Sequence, residues 1–311
     1  MKRLMPVVVI LTLAAGPAFG QQCRMARAFM QPDRHAPGMA TAVWADTGDS
    51  SLLFVDSLGV NTDGTRRSYN IDDFWGRQTA INNLCNAMTD RCAGLDDAGL
   101  RNRRIITERA FANGWPSDQL RQTRIGSNII PFKNGKPCPL VGGFLVSATA
   151  LHKPNVTDIC DLSNYVDALE VAALVLPGSP RGRPSGFTTR EARPGDLVIV
   201  MLPGGSAPVY AVVGDTGPVD ELGEGSVALN GKLLGKTSDP SNYDEVRGRG
   251  RFAGRGWQVP RAVVLVFPQT RDVRDPYMTT SRIEEAAARR FEDWGGVARL
   301  QACAAEYARR P

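Results

Sequence analysis

Residues 195–235 read GDLVIVMLPGGSAPVYAVVGDTGPVDELGEGSVALNGKLLG. Two apolar runs of strand length, 197–202 and 209–213, are rich in valine, which is stiff at χ1 and packs well on a pleated surface. Pro203-Gly204-Gly205 stands between them as hairpin punctuation. The second run stops at Gly214-Asp215-Thr216-Gly217-Pro218, and a loop carrying Asp220, Glu221 and Glu224 follows. Ser226 then opens an apolar segment, 227–234, that reads as a short helix. This order sets one acid at a strand exit and a second one loop later. Two carboxylates facing each other across a cleft suit a hydrolase.

Working outward, residues 51–55, 129–131, 144–148, 168–176 and 262–267 also read as strands. Gly142-Gly143 marks a bend and Pro177-Gly178 a stop. Short strands between turn signals predict a mainly β domain, a compact barrel with peripheral helices. Helices are expected over 95–113, whose arginines suit a solvated face, over 281–294 behind a Ser281–Glu284 capping box, and over 298–309. Residues 236–257 read as a polar surface loop. The domain division is 1–20, 21–49 as a surface-wrapping segment, 50–270 as the catalytic domain and 271–311 as a helical tail packed on it.

Residues 1–20 carry Lys2 and Arg3, a short apolar run, and small residues before a cut. That is a secretory signal peptide, too short to span a bilayer, so a secreted or periplasmic protein is expected. Cys23 follows no lipoprotein box, and no membrane anchor is read. The formal charge is +5, falling to about +3 without the leader, too mild for a polyanionic partner such as nucleic acid. Six cysteines remain after export, and six allow fifteen pairings. The expected set is Cys85–Cys92 as a local clip, Cys138–Cys160 across a loop and Cys23–Cys303 joining the termini.

Other chemistries fail on inventory. Two histidines, His35 and His152, cannot build a three-histidine zinc site, and no H-E-x-x-H is present. No G-x-S-x-G elbow occurs, and residues 231–237 miss the P-loop spacing by one residue. No metal or organic cofactor is expected. Asp72-Asp73-Phe74-Trp75 sets acids beside aromatic rings, a common sugar-binding combination, so Asp73 and Trp75 are candidate substrate contacts. The competing reading of Asp73 is the cap of a helix over 74–88.

The strand entering GDTGP (214–218), then LGEGSVAL (222–229), resembles the fungal-type chitosanases of glycoside hydrolase family 75, bacterial members included. NTDGTRRSYN (61–70), NNLCNAM (82–88) and YVDALEVAALVLPG (165–178) extend the resemblance upstream in family order. It implies a secreted, monomeric endo-hydrolase of β-1,4-linked glucosamine polymers on a double-psi-type barrel of about six strands. The implied catalytic pair is Asp215 and Glu224, in an inverting mechanism with carboxyl groups roughly 6.5–9.5 Å apart. The local environments lean to Asp215 as acid and Glu224 as base. Asp63, in the family's acidic-glycine turn, is the implied partner of a glucosamine ammonium. The polar insert 236–257 and the tail after Ser281 depart from the fungal members and leave cleft shape and substrate open. The rival readings are a peptidoglycan- or other glycan-cleaving envelope enzyme and a catalytically silent glycan-binding protein.

Overall fold

The computed structural model describes residues 23–32, 39–179 and 183–307. The expected leader, 1–20, lies outside the described residues, as do 180–182 and 308–311, which include the last two residues, 308–309, of the last expected helix. The strands are β1 (Met25–Pro32), β2 (Ala40–Asp46), β3 (Leu52–Asn61), β4 (Phe132–Lys133), β5 (Lys136–Pro137), β6 (Ala173–Pro177), β7 (Leu197–Met201), β8 (Val209–Gly217), β9 (Glu224–Ser226) and β10 (Val259–Phe267). The helices are α1 (Asp97–Ala112), α2 (Ser117–Thr123), α3 (Gly186–Thr189), α4 (Val227–Leu233), α5 (Tyr243–Val246), α6 (Thr280–Trp294) and α7 (Gly296–Tyr307). The fold is compact α+β, with helix and strand contributing about equally.

Six strands close a barrel in the order β3-β10-β7-β8-β6-β9, with β9 returning to β3. The β6–β8 and β3–β9 pairings are parallel and the other four antiparallel. Closure leaves these six no free edge. The β1–β2 hairpin adds to β3 through Trp44 and Ala45.

The period-2 alternation of strands sorts the valine-rich runs into two cores. Val198, Val200, Val264 and Val266 pack inside with Phe54, Leu174 and Val213. Leu197, Ile199, Met201, Val263, Leu265 and Phe267 point outward, where α6 and α7 cover them with Phe291, Trp294, Leu300 and Tyr307. A run buried on both faces therefore reads as continuously apolar. Asp46 ties this layer down, accepting from Trp294 Nε1 at 3.0 Å and Arg299 Nη2 at 2.7 Å. Residues 62–172, between β3 and β6, make a lobe with its own core of Tyr69, Phe74, Leu84, Trp115 and Ile125.

All three expected disulfides are present: Cys23–Cys303, Cys85–Cys92 and Cys138–Cys160. No helix among the described residues is long and apolar enough to cross a membrane.

Several local expectations are corrected. The segment expected to wrap the surface contains the β1–β2 hairpin, with Val43 and Trp44 buried in opposite cores. Residues 74–88 form turns and one short 3-10 turn, Leu84–Ala87, not an α-helix. Residues 129–131 and 144–148 form only isolated bridges and turns, while β4 and β5 lie between them. The polar insert folds into α5 and a 3-10 turn, Gly250–Phe252, with Tyr243, Val246 and Trp257 buried. Helix α6 begins after Thr279, so Ser281 is inside it and caps nothing.

Candidate active site

The site is built from the end of β3 at Asn61, Asp215 near the end of β8 and Glu224 at the start of β9. Val175 of β6 pairs with Asp215 of β8 on one side and with Glu224 of β9 on the other. The two acids thus stand at one level, two strand spacings apart, about 9–10 Å between main chains. Glycine sets both approaches. Gly223 has φ +86°, and a Cβ there would meet the Ser57 carbonyl oxygen at 2.2 Å, so only glycine lets the loop enter β9 this close to β3. Gly64, φ +85°, plays the same part behind Asp63, where a Cβ would sit 1.9 Å from the Val166 carbonyl oxygen.

Asp215 is half-buried. Its Oδ1 accepts from the main-chain N–H groups of Ala150 (2.9 Å) and Thr216 (2.8 Å), while Oδ2 receives only a long 3.4 Å contact from Asn61 Nδ2. Burial pushes this carboxyl up to about 6, although all three donors favour its charged form. With Oδ1 doubly occupied, the proton belongs on Oδ2.

Asn61 connects Asp215 to Asp63, because its Oδ1 accepts from the Asp63 main-chain N–H at 2.6 Å. Asp63 Oδ1 accepts from the hydroxyl of buried Tyr69 at 2.8 Å, and that hydroxyl also accepts from Asn82 Nδ2 at 3.2 Å. Burial pushes Asp63 up to about 8 and the Asp215 charge adds to it; the Tyr69 hydroxyl opposes them, and Glu224 raises it further. Asp63 therefore feels both other carboxylates and holds its proton at neutral pH. Desolvation and the adjacent Asp63 push the Tyr69 phenol well above its usual range, so it stays a donor.

Asp63 and Glu224 line a cleft of about 420 Å³ with Asn61, Asn82, Arg91, Glu221 and Tyr243. Asp215 lines a small adjoining recess that shares Asn61 and Asp63 with the cleft. The three sequence-predicted acids are thus brought together, with Asp63, not Asp215, lining the same cleft as Glu224. Arg91 and Glu221 pair at 3.8 Å across the cleft.

Two predicted contacts are not in this cleft. Asp73 is buried, and its carboxylate accepts from the main-chain N–H groups of Arg77, Gln78, Thr79 and Ala80. It organises its own loop and lies buried outside the cleft. Trp75 packs edge-on to Phe74, ring centroids 4.7 Å apart, and lines a neighbouring groove instead. Sequence reasoning passed over Asn61, Tyr69, Asn82 and Arg91. All lie in or beside the quoted blocks 61–70 and 82–88, but nothing in their spacing says that the barrel brings them to Asp63. No protein-family model matches the chain, and no curated protein matches it.

Proposed function

We propose that the chain is a glycoside hydrolase that cleaves β-1,4-linked glucosamine polymers with inversion. The observation that carries this reading is the placement of Asp215 and Glu224 on either side of Val175, with a third carboxyl, Asp63, influenced by both.

In the reaction, Asp215 Oδ2 gives its proton to the glycosidic oxygen as the C1–O bond breaks. Glu224 removes a proton from a water whose oxygen bonds to C1 on the opposite face. The acid ends ionised and the base protonated, and exchange with solvent resets both. Main chains two strand spacings apart are of the order of the carboxyl separation that inversion uses, and Asp215 would reach the cleft from its recess past Asn61 and Asp63. Asp63 takes the sugar ammonium. In the unliganded cleft it is neutral, and an arriving ammonium favours its charged form, so binding releases a proton from it. An acetamide offers no such charge, which gives selectivity for the deacetylated sugar.

The test is release of reducing ends from soluble chitosan, with the product anomer followed by NMR. Asp215→Asn and Glu224→Gln should each lower the rate roughly 100- to 10,000-fold while folding is retained. No release by the unaltered protein, or unchanged rates in both variants, refutes the proposal.

A further inference from the structure

The cleft does not end at the carboxylates. It shares Asn86, Arg91 and Tyr243 with a second groove of about 280 Å³, so the two adjoin as one trough divided only by these side chains. The second groove is the more basic of the two, since the carboxylates of the first are set against Arg91 and Arg247. It is lined by Arg77, Arg91 and Arg249 against one acid, Asp244, with Trp75 in its wall. The ammonium groups of a polymer of glucosamine alone would meet like charge in this second groove.

The arginines are positioned rather than scattered. Arg91 and Cys92 both have left-handed backbone, φ 49° and 55°, in a turn closed by the Cys85–Cys92 disulfide. Two successive non-glycine residues in that region are uncommon, and such conformations cluster at functional sites. The Arg249 guanidinium lies over the Tyr243 ring at 5.5 Å, a cation–π contact that holds it at the groove. Trp75 is held by its edge contact with Phe74 and supplies an apolar surface of the kind a sugar ring covers. The glycine-spaced arginine segment beyond residue 246, unexplained by the catalytic reading, thus contributes one bank of the trough.

We propose that this groove binds a saccharide unit bearing a carboxylate. The bound polymer then carries an amino sugar over Asp63 and Glu224 and an acidic sugar between Trp75 and the arginines. A carboxylate, rather than a neutral sugar, is the group that matches guanidinium edges bidentately. This rests on the proposed glycan-cleaving reading for what fills the other half of the trough.

The test compares two probes with the same backbone, a chitosan tetramer and its carboxymethylated counterpart, by calorimetric titration of the Glu224→Gln protein. The carboxymethylated tetramer should bind roughly tenfold more tightly, with an advantage that shrinks as salt rises. Arg249→Glu should reverse the preference, and the milder Arg249→Ala and Arg77→Ala should each reduce it. Melting curves show that each variant is folded. Equal affinity for the two probes, or a preference untouched by Arg249→Glu, overturns the inference. Failure of the hydrolase reading shows separately, as no reducing ends from chitosan, and does not alter the affinity ratio.

Discussion

Replacing Asp63 with asparagine should make the protein more stable while weakening its hold on chitosan. Asparagine keeps the shape and an acceptor for the Tyr69 hydroxyl, but it cannot ionise. The sign follows from proton binding. In the unfolded chain Asp63 titrates at its ordinary 3.8, and in the folded chain at about 8. Between those values the folded state binds more protons, so Asp63 lends stability that is fully present below pH 3.8 and is lost as pH rises towards 8. Each pH unit in that window is worth about 1.4 kcal/mol. The loss amounts to about 1.6 kcal/mol at pH 5 and about 4 kcal/mol at pH 7. These are upper bounds, because the carboxyl is half-buried and solvent relieves part of the penalty. The variant should therefore melt above the parent by a margin that widens from pH 5 to pH 7, at roughly 2 °C per kcal/mol for a chain of this size. Paired melts at the two pH values, disulfides intact, make the measurement. A variant that melts lower at both, or whose advantage is the same at both, refutes the account and makes Asp63 a structural turn residue.

Asp73→Ala should cost about 1–3 kcal/mol in denaturant unfolding, because four main-chain donors lose one acceptor, the Ala80 N–H in a buried position, while chitosan affinity of the folded fraction stays unchanged. Gly223→Ala should lower both melting temperature and chitosan turnover, since the Ser57 carbonyl must move and β9 carries Glu224 with it. Removing Cys23 and Cys303 together should destabilise by about 3–5 kcal/mol, read from urea melts, because their bond closes almost the whole chain at a separation of 280 residues. The pH profile of kcat/KM on chitosan should fall as pH rises through about 6, where Asp215 loses the proton it donates. A plateau extending to pH 8 would remove Asp215 as the acid.

The barrel was legible because its strands are buried on both faces. Val198 and Val200 face the inner core while Leu197, Ile199 and Met201 meet α6 and α7, so the whole run is apolar and length alone separates it from a helix. The β1–β2 hairpin was not legible. Arg27, Gln31 and Pro32 mask β1, and its register is broken between Arg27 and Phe29. The helix expected over 74–88 failed through one side chain. Asp73 serves neither as the substrate contact nor as the competing helix cap, because it bonds successive N–H groups from Arg77 to Ala80 and commits them to a loop.

At the site the same limit recurs. The spacing of Asp215 and Glu224 suggests a pair, but that both flank Val175 depends on β6 running parallel to β8 and antiparallel to β9. Local sequence holds no record of that pairing. The reading of Asp63 depends still more on topology, because its neighbours arrive from three places in the chain: Tyr69 beside it, Asp215 from β8 and Glu224 from β9. A carboxyl crowded by two others is costly to the fold. The turn that holds it is plain in the sequence, and the resemblance implies an ammonium partner, but only the closed barrel brings the two other carboxylates that crowd it.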